Sequence, residues 1–339
     1  MLSSIPSYEV APLDLSVVVP VYNEEENIAL LHRELSDVLG KQELDYEIIL
    51  VDDGSSDGSY EILKTLQKTD PRLIVIRFRR NFGQTAALSA GFDLTRGKVI
   101  ITLDADLQND PQDIPKLIEK LNQGYDLVNG WRVDRQDPFF SRKLPSMIAN
   151  RIISVATQVK LHDYGCTLKA FRKEIIKNIR LYGEMHRFIP AICSAMGTRI
   201  AEVKVNHRPR RFGASKYGIS RTIRVILDLI TVKFLLDYMT RPIQVFGLLG
   251  INCGLIGFLI ALFLTIQRQF FQIPMANRPL LLLAILLIFM GLQFISLGLI
   301  AEIQSRTYHE AQNKPIYAIR DILGMDNSHG LSSHQSDTD

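Results

Sequence analysis

With 339 residues and 39 basic against 36 acidic side chains, the chain is long enough for about two domains and too evenly charged to imply a nucleic-acid partner. Its three cysteines, Cys166, Cys193 and Cys253, show no metal-ligand spacing and an odd count, which excludes a disulfide framework and fits a reducing cytosol. The 47% apolar content is ordinary in amount but not in placement.

The first fifteen residues hold Pro6, Glu9, Pro12 and Asp14 without an apolar run, so no secretory signal is expected. Ser16–Pro20 reads as a short buried strand, followed by the loop Val21-Tyr22-Asn23-Glu24. Asn27 is the expected N-cap of a helix with Ile28, Leu31, Leu35 and Val38 on one face. A second strand, Glu47–Val51, runs into Asp52-Asp53-Gly54-Ser55, and a helix carries Ile62, Leu63 and Leu66. After the strand Leu73–Ile76 and the loop Arg79–Gln84, an Ala-rich helix extends to about Phe92. Lys98–Thr102 is the fourth strand, and Asp104-Ala105-Asp106-Leu107-Gln108 follows it. A helix bearing Ile114, Leu117, Ile118 and Leu121 and a fifth strand, Asp126–Asn129, complete the alternation.

That alternation predicts an α/β domain with a mostly parallel sheet, whose ligands bind beyond the C-terminal strand ends. Three polar or acidic loops, at Tyr22–Glu24, Asp52–Gly54 and Asp104–Asp106, fall there. Taken singly, an Asp-x-Asp or Asp-Asp-Gly is most often a turn; three loops converging on one edge make a site. Two carboxylates two residues apart, with Gln108 beyond, suit a hard divalent cation that keeps positions open for phosphate oxygens. No G-x-G-x-x-G follows the first strand, which disfavours a dinucleotide cofactor.

Farther on, Arg132, Arg135, Arg142 and Lys143 cluster in what is either a solvated loop or a set of guanidinium forks for phosphate. Ser141–Val159 reads as helix and Asp163–Thr167 as a turn, with Cys166 a small packed residue and His186 more often structural than catalytic. Residues 217–240 mix Ile219, Ile223 and Ile226 with Arg221, Arg224 and Lys233, the composition of an interfacial helix on anionic headgroups. No charge occurs between Arg241 and Arg268 or between Arg278 and Glu302, and each gap exceeds the roughly 20 residues that cross a bilayer. The cationic flanks outside this pair predict cytosolic termini. In the first span, Gly247, Gly250, Gly254 and Gly257 offer a packing surface, consistent with a homo-oligomer. The expected divisions are an N-terminal extension (1–15), a cytosolic catalytic domain (16–215), juxtamembrane interfacial helices (216–241), a two-helix membrane hairpin (242–303) and a cytosolic tail (304–339) disordered after Gly324.

Val18-Val19-Pro20-Val21-Tyr22-Asn23-Glu24, Val51-Asp52-Asp53-Gly54-Ser55, Asp104-Ala105-Asp106-Leu107-Gln108, Asp163-Tyr164-Gly165-Cys166 and Arg210-Arg211-Phe212-Gly213-Ala214-Ser215-Lys216-Tyr217 together resemble the family 2 glycosyltransferases of GT-A fold. The similarity is to the polyprenyl-phosphate glycosyltransferase branch, over about residues 16–217. It implies nucleotide-sugar contacts from Pro20, Tyr22, Glu24, Val51, Asp53, Asp104, Ala105, Asp106, Arg210 and Lys216. It further implies Mg²⁺ or Mn²⁺ on Asp104, Asp106 and Gln108, an acceptor phosphate on Arg132, Arg142 and Ser146, and catalytic roles for Asp106 and Asp163. The Q-x-x-R-W motif of processive synthases is absent. The implied reaction is inverting transfer of a sugar, with UDP-glucose the expected donor, onto undecaprenyl phosphate at the cytosolic face of the inner membrane. UDP-GlcNAc, a UDP-aminoarabinose derivative and GDP-mannose remain alternative donors. A lipid-hydroxyl acceptor and a non-catalytic nucleotide-sugar scaffold are the competing functions.

Overall fold

Central strands of a parallel sheet are covered on both faces, so their sequences run apolar without alternation. Leu15–Val21 (β1), Tyr46–Asp52 (β2), Leu73–Phe78 (β3) and Val99–Thr102 (β4) do so, and they pair in parallel in the order β4-β1-β2-β3. The computed structural model describes residues 13–133, 153–154, 159–179, 181, 185–209, 243–272, 274, 279–311 and 316–324. These fall into two compact units, one drawn from Met1–Leu229 and Pro315–Asp339, the other from Ile230–Lys314.

In the first unit, helices Glu25–Leu39 (α1), Ser59–Thr69 (α2), Gln84–Leu94 (α3) and Ile114–Asn122 (α4) alternate with strands as expected. α1 begins three residues earlier than the sequence suggested, with Glu24 rather than Asn27 at the N-cap position. Asn27 lies inside it, 1% exposed, with Nδ2 donating to Glu24 Oε2 at 2.6 Å. Its side chain braces the first turn from within rather than capping it, and Leu39, not Val38, completes the buried stripe. The chain builds outward from β1 through β2 to β3 on one side and to β4 on the other. The reversal opens a crevice at the β1–β4 junction, the usual ligand position in such sheets.

On the far side only the fifth strand was anticipated, at Asp126–Asn129. Leu127–Arg132 (β5), Lys169–Arg172 (β6) and Ile200–Val205 (β7) extend the sheet as β7-β5-β6-β4, with β6 inserted antiparallel between β4 and β5. Short helices Lys173–Lys177 (α5) and Ile189–Ala195 (α6) flank it. At the opposite edge Ile319–Leu323 (β8) pairs antiparallel with β3. Tyr317 stacks on Phe78 (centroids 5.3 Å apart) and donates to Asp93 at 2.7 Å. Four of the seven pairings among the described residues are parallel.

The second unit is a pair of helices, Ile243–Phe271 (α7) and Pro279–Ala311 (α8). Their segments Phe246–Phe271 and Pro279–Ala301, with mean hydropathies of 2.3 and 2.7, are long and apolar enough to cross a membrane, and most of their large apolar side chains face outward. Polar side chains within them are satisfied locally: Asn252, Thr265 and Ser296 donate to carbonyls four residues back. The small residues serve this pair itself. A Cβ on Gly250 would sit 2.6 Å from Gly291 O, and one on Gly257 2.7 Å from Ala284 O. The expected interfacial helices, the distal tail and most of Ser141–Val159 lie outside the described residues.

Candidate active site

β4 ends at Thr102, and Asp104 to Asp110 lie over the crevice. Leu107 holds φ at +60°, a left-handed conformation that a bulky residue adopts only when its surroundings impose it. Its side chain is 2% exposed, so core packing fixes the bend. The bend lets the Gln108 N–H donate to Asp106 Oδ1 at 3.1 Å. Asp104 is half-buried; its Oδ1 accepts from Gln84 Nε2 at 2.7 Å, and its N–H donates to Asn109 Oδ1 at 3.3 Å. Burial, and then the neighbouring Asp106 charge, push the Asp104 carboxyl up to about 6. A carboxyl raised by burial and a second carboxylate is one that a cation relieves. Among the described residues no three His, Cys, Asp or Glu side chains converge, so the chain offers an all-oxygen partial set of two carboxylates and the Gln108 amide. That set fits a divalent ion whose remaining ligands come from substrate phosphate and water.

Behind the acidic loop, Arg132 and Asp163 grip each other. Nε and Nη2 of the guanidinium donate to Asp163 Oδ2 and Oδ1 at 2.7 and 2.9 Å, with both side chains largely buried. The Arg132 pKa rises further under this pairing, although burial alone would lower it. The resemblance implied a catalytic role for Asp163; in the structure both of its oxygens accept from the Arg132 fork. The Nη1 edge of Arg132 makes no hydrogen bond among the described residues. Glu202 holds the loop from β7, accepting from the backbone N–H groups of His162 and Asp163 at 2.9 and 3.2 Å. Lys169, which sequence reading passed over, is 3% exposed, registers against Thr102 and Asn129, and donates to Cys166 O. Burial depresses its pKa. A lysine between Leu168 and Ala170 in an apolar run was the available signal. Cys166 is packed as expected, its thiol pushed up to about 11 by burial.

On the β1 and β2 side, Pro20 is partly exposed, Tyr22 37% exposed, and Glu24 partly exposed with its N–H donating to Ser59 Oγ at 2.9 Å. Asp53 turns inward: Oδ1 and Oδ2 accept the backbone N–H groups of Phe82 and Gly83 at 2.7 and 2.9 Å. Burial nonetheless pushes its carboxyl up to about 6. Val51 and Ala105 are fully packed in the core, so their side chains face away from any ligand and only their backbones border the crevice. Missed, too, was Gln84, which reaches Asp104 from the start of α3; His186, read as more often structural, is buried and its Nδ1 shares a 2.9 Å hydrogen bond with Thr85. The loop after β3 was a visible signal for Gln84, since β3 ends on the same edge. His207 bridges to Asn109, and the Arg208 N–H donates to Gln108 O at 2.9 Å, so the chain leaves the described region beside the acidic loop. Arg142, Ser146, Arg210 and Lys216 lie outside the described residues.

A crevice of paired carboxylates at the switch point of a mixed sheet of this order is the architecture of a GT-A glycosyltransferase. The chain belongs to glycosyl transferase family 2, whose pattern matches residues 16–180. It is 44% identical over 318 residues to dodecaprenyl-phosphate galacturonate synthase of Rhizobium johnstonii, covering 93% of this chain and 94% of the relative. It is 40% identical over 314 residues to undecaprenyl-phosphate 4-deoxy-4-formamido-L-arabinose transferase of Edwardsiella ictaluri, covering 91% and 94%. Among solved structures it is similar in fold to glucosyl-3-phosphoglycerate synthase of Mycobacterium tuberculosis, in complex with Mn²⁺, UDP and phosphoglyceric acid. There the TM-score is 0.51 at 19% identity, covering 65% of this chain and 78% of that one.

Proposed function

We propose that this glycosyltransferase moves a sugar from a UDP-sugar onto a polyprenyl phosphate, undecaprenyl phosphate in the first instance, at the cytosolic face of the inner membrane. The observation that carries the reading is the Asp104–Asp106 pair at the β1–β4 crevice, where burial and then the Asp106 charge raise the Asp104 carboxyl, in a chain whose apolar helices suit a lipid-bound acceptor. The names of both relatives, which align over nine-tenths of the chain, support the acceptor class. UDP-glucose is the donor expected from sequence; the relatives' names widen the donors worth testing to a uronic acid and a formamido pentose.

Asp104, Asp106 and Gln108 would hold Mg²⁺ or Mn²⁺, which when bound offsets charge on the departing diphosphate. An oxygen of the acceptor phosphate attacks the anomeric carbon from the face opposite the diphosphate. The C1–O bond to UDP breaks, its electron pair leaves with UDP, and the α-linked donor gives a β-linked lipid product. A phosphate monoester with a second pKa near ~6 is largely dianionic already, so the acceptor needs placing rather than deprotonating. The commitment of Asp163 to Arg132 suits that requirement and disfavours a lipid-hydroxyl acceptor, which would need a free base. The topology also has support: β8, after both apolar helices, pairs in the same sheet as β3 before them. Two spans between two strands of one sheet leave both flanks on one side.

The test is UDP release by the detergent-solubilised protein with Mn²⁺ and a panel of UDP-sugars, with and without undecaprenyl phosphate. Release that requires the lipid supports the reading; lipid-independent release, or none from any donor, overturns it.

A further inference from the structure

Between the end of β4 at Thr102 and Pro111 the chain makes neither helix nor strand, only a single bridge at Asn109. This stretch carries Asp104, Asp106 and Gln108, and it includes the left-handed Leu107. Cation affinity depends on ligands held in place before the ion arrives, so a loop without a ladder needs pinning from elsewhere. The pins come from the chain just past β7. The Asn206 N–H donates to Asp113 Oδ2 at 2.6 Å, and its Nδ2 donates to Asp110 Oδ2 at 3.0 Å. His207 bridges to Asn109, whose Oδ1 accepts the Asp104 N–H at 3.3 Å and the Thr167 hydroxyl at 2.9 Å. Arg208 closes the row. Its N–H donates to Gln108 O at 2.9 Å and its Nη2 to Asp110 Oδ1 at 2.6 Å, while Nη1 reaches Glu34 Oε2 on α1 at 2.7 Å.

Arg208 therefore ties the acidic loop to a helix outside it. With a carboxylate on each arm of its part-buried fork, it is spent as a brace and has little left for a phosphate oxygen. We propose that Arg208 is a positioning residue for the cation: by locking Asp110 and Gln108 O against α1, it fixes the loop on which Asp106 and Gln108 would meet the metal. The inference rests on the reading of Asp104, Asp106 and Gln108 as the metal-holding set, and adds to it a side chain that touches neither metal nor substrate. Its loss should tax cation affinity rather than chemistry. A loop competent for only a tenth of the time weakens apparent affinity about tenfold, and saturating Mn²⁺ recovers it.

The test is Mn²⁺ binding to the full-length, detergent-solubilised protein with UDP present, read from the electron paramagnetic resonance signal of unbound Mn²⁺, so that no turnover is needed. Arg208→Gln is expected to raise the Mn²⁺ dissociation constant on the order of 10- to 100-fold. The Mn²⁺ activation of lipid-dependent UDP release shifts by the same factor, with kcat at saturating Mn²⁺ within about threefold of the wild type. Arg208→Lys keeps the charge but cannot fork to both acids; it gives an intermediate value and carries the test if the Gln variant fails to fold. Arg72→Gln breaks a similar ion pair, with Asp70 ahead of β3 at the strand ends away from the crevice, and should lower Tm with Mn²⁺ affinity unchanged. An equal loss of Mn²⁺ affinity there, or wild-type affinity in both Arg208 variants, overturns the inference and leaves the Arg208 pairs merely structural. So does metal-free UDP binding weakened as much as Mn²⁺ binding in Arg208→Gln, since that marks a diphosphate contact. A wild-type protein that binds no Mn²⁺ with UDP present fails the metal reading and this one with it.

Discussion

Two acidic pairs lie at the C-terminal ends of the strands on either side of β1, Asp52–Asp53 at the end of β2 and Asp104–Asp106 after β4, and they face opposite demands. The first is consumed by the protein. Asp52 is wholly buried, accepts from the Ser55 N–H at 3.0 Å and lies 3.7 Å from Arg77, while Asp53 takes two backbone N–H groups of the loop after β3. The second pair includes a half-buried carboxyl whose pKa is raised by burial and then by its neighbour, and Gln84 donates to it from the start of α3. Adjacent carboxylates with similar motifs thus divide between shaping the crevice and serving what enters it, according to which donors reach them first.

The largest effect that would break this contrast lies in the second pair. Asp106→Ala should cut lipid-dependent UDP release by on the order of 10³-fold, about 4 kcal/mol of transition-state stabilisation, with little change in Tm. Comparable loss of Tm would move Asp106 into the structural class. Gly54→Ala should do the reverse. Gly54 has φ +68°, and a Cβ there would lie 2.4 Å from the Arg80 carbonyl carbon. We expect a loss of about 3 kcal/mol in denaturant unfolding of the sheet-bearing unit, from strain and backbone overlap together. Asp53→Asn keeps one acceptor for the two amides and should cost about 1–2 kcal/mol in the same measurement, with kcat within tenfold. The smallest effect sharpens the comparison by pH. With Asp104 at about 6, protons compete with the cation below that value, so Mn²⁺ affinity should fall as pH drops from 7 to 5. The slope, read by titrating Mn²⁺ activation, should approach tenfold per unit below pH about 6. A flat profile would detach Asp104 from metal binding.

The legible parts of the molecule were those where local pattern and tertiary role coincide. β1 to β4 are buried on both faces, so apolar runs announced them, and their C-terminal loops followed from the alternation. β6, β7 and β8 are short and form through partners far along the chain: Lys169 with Thr102, Ile200 with Leu127, and Ile319 with Phe78. No local periodicity encodes such a pairing. The site divided similarly. Asp104 and Asp106 stood out by position, whereas the mutual capture of Arg132 and Asp163 brings together residues from β5 and a distant turn. Their separate motifs implied a phosphate ligand and a catalytic residue; only proximity reveals a clasp. Of the glycines read as a packing surface, Gly250 and Gly257 face α8 of the same chain, a pairing that spacing within one helix does not show.

The late position of β8 has a consequence for synthesis. β3 leaves the ribosome some 240 residues before the strand that covers its edge. At about 5–20 residues per second the nascent sheet waits roughly ten to fifty seconds with β3 unpaired. Such a bare edge is a template for pairing with other chains. Both apolar helices are made during that interval, so insertion into the bilayer comes before the sheet is complete. The two helices long and apolar enough to cross a membrane therefore leave the ribosome while the β3 edge is still open.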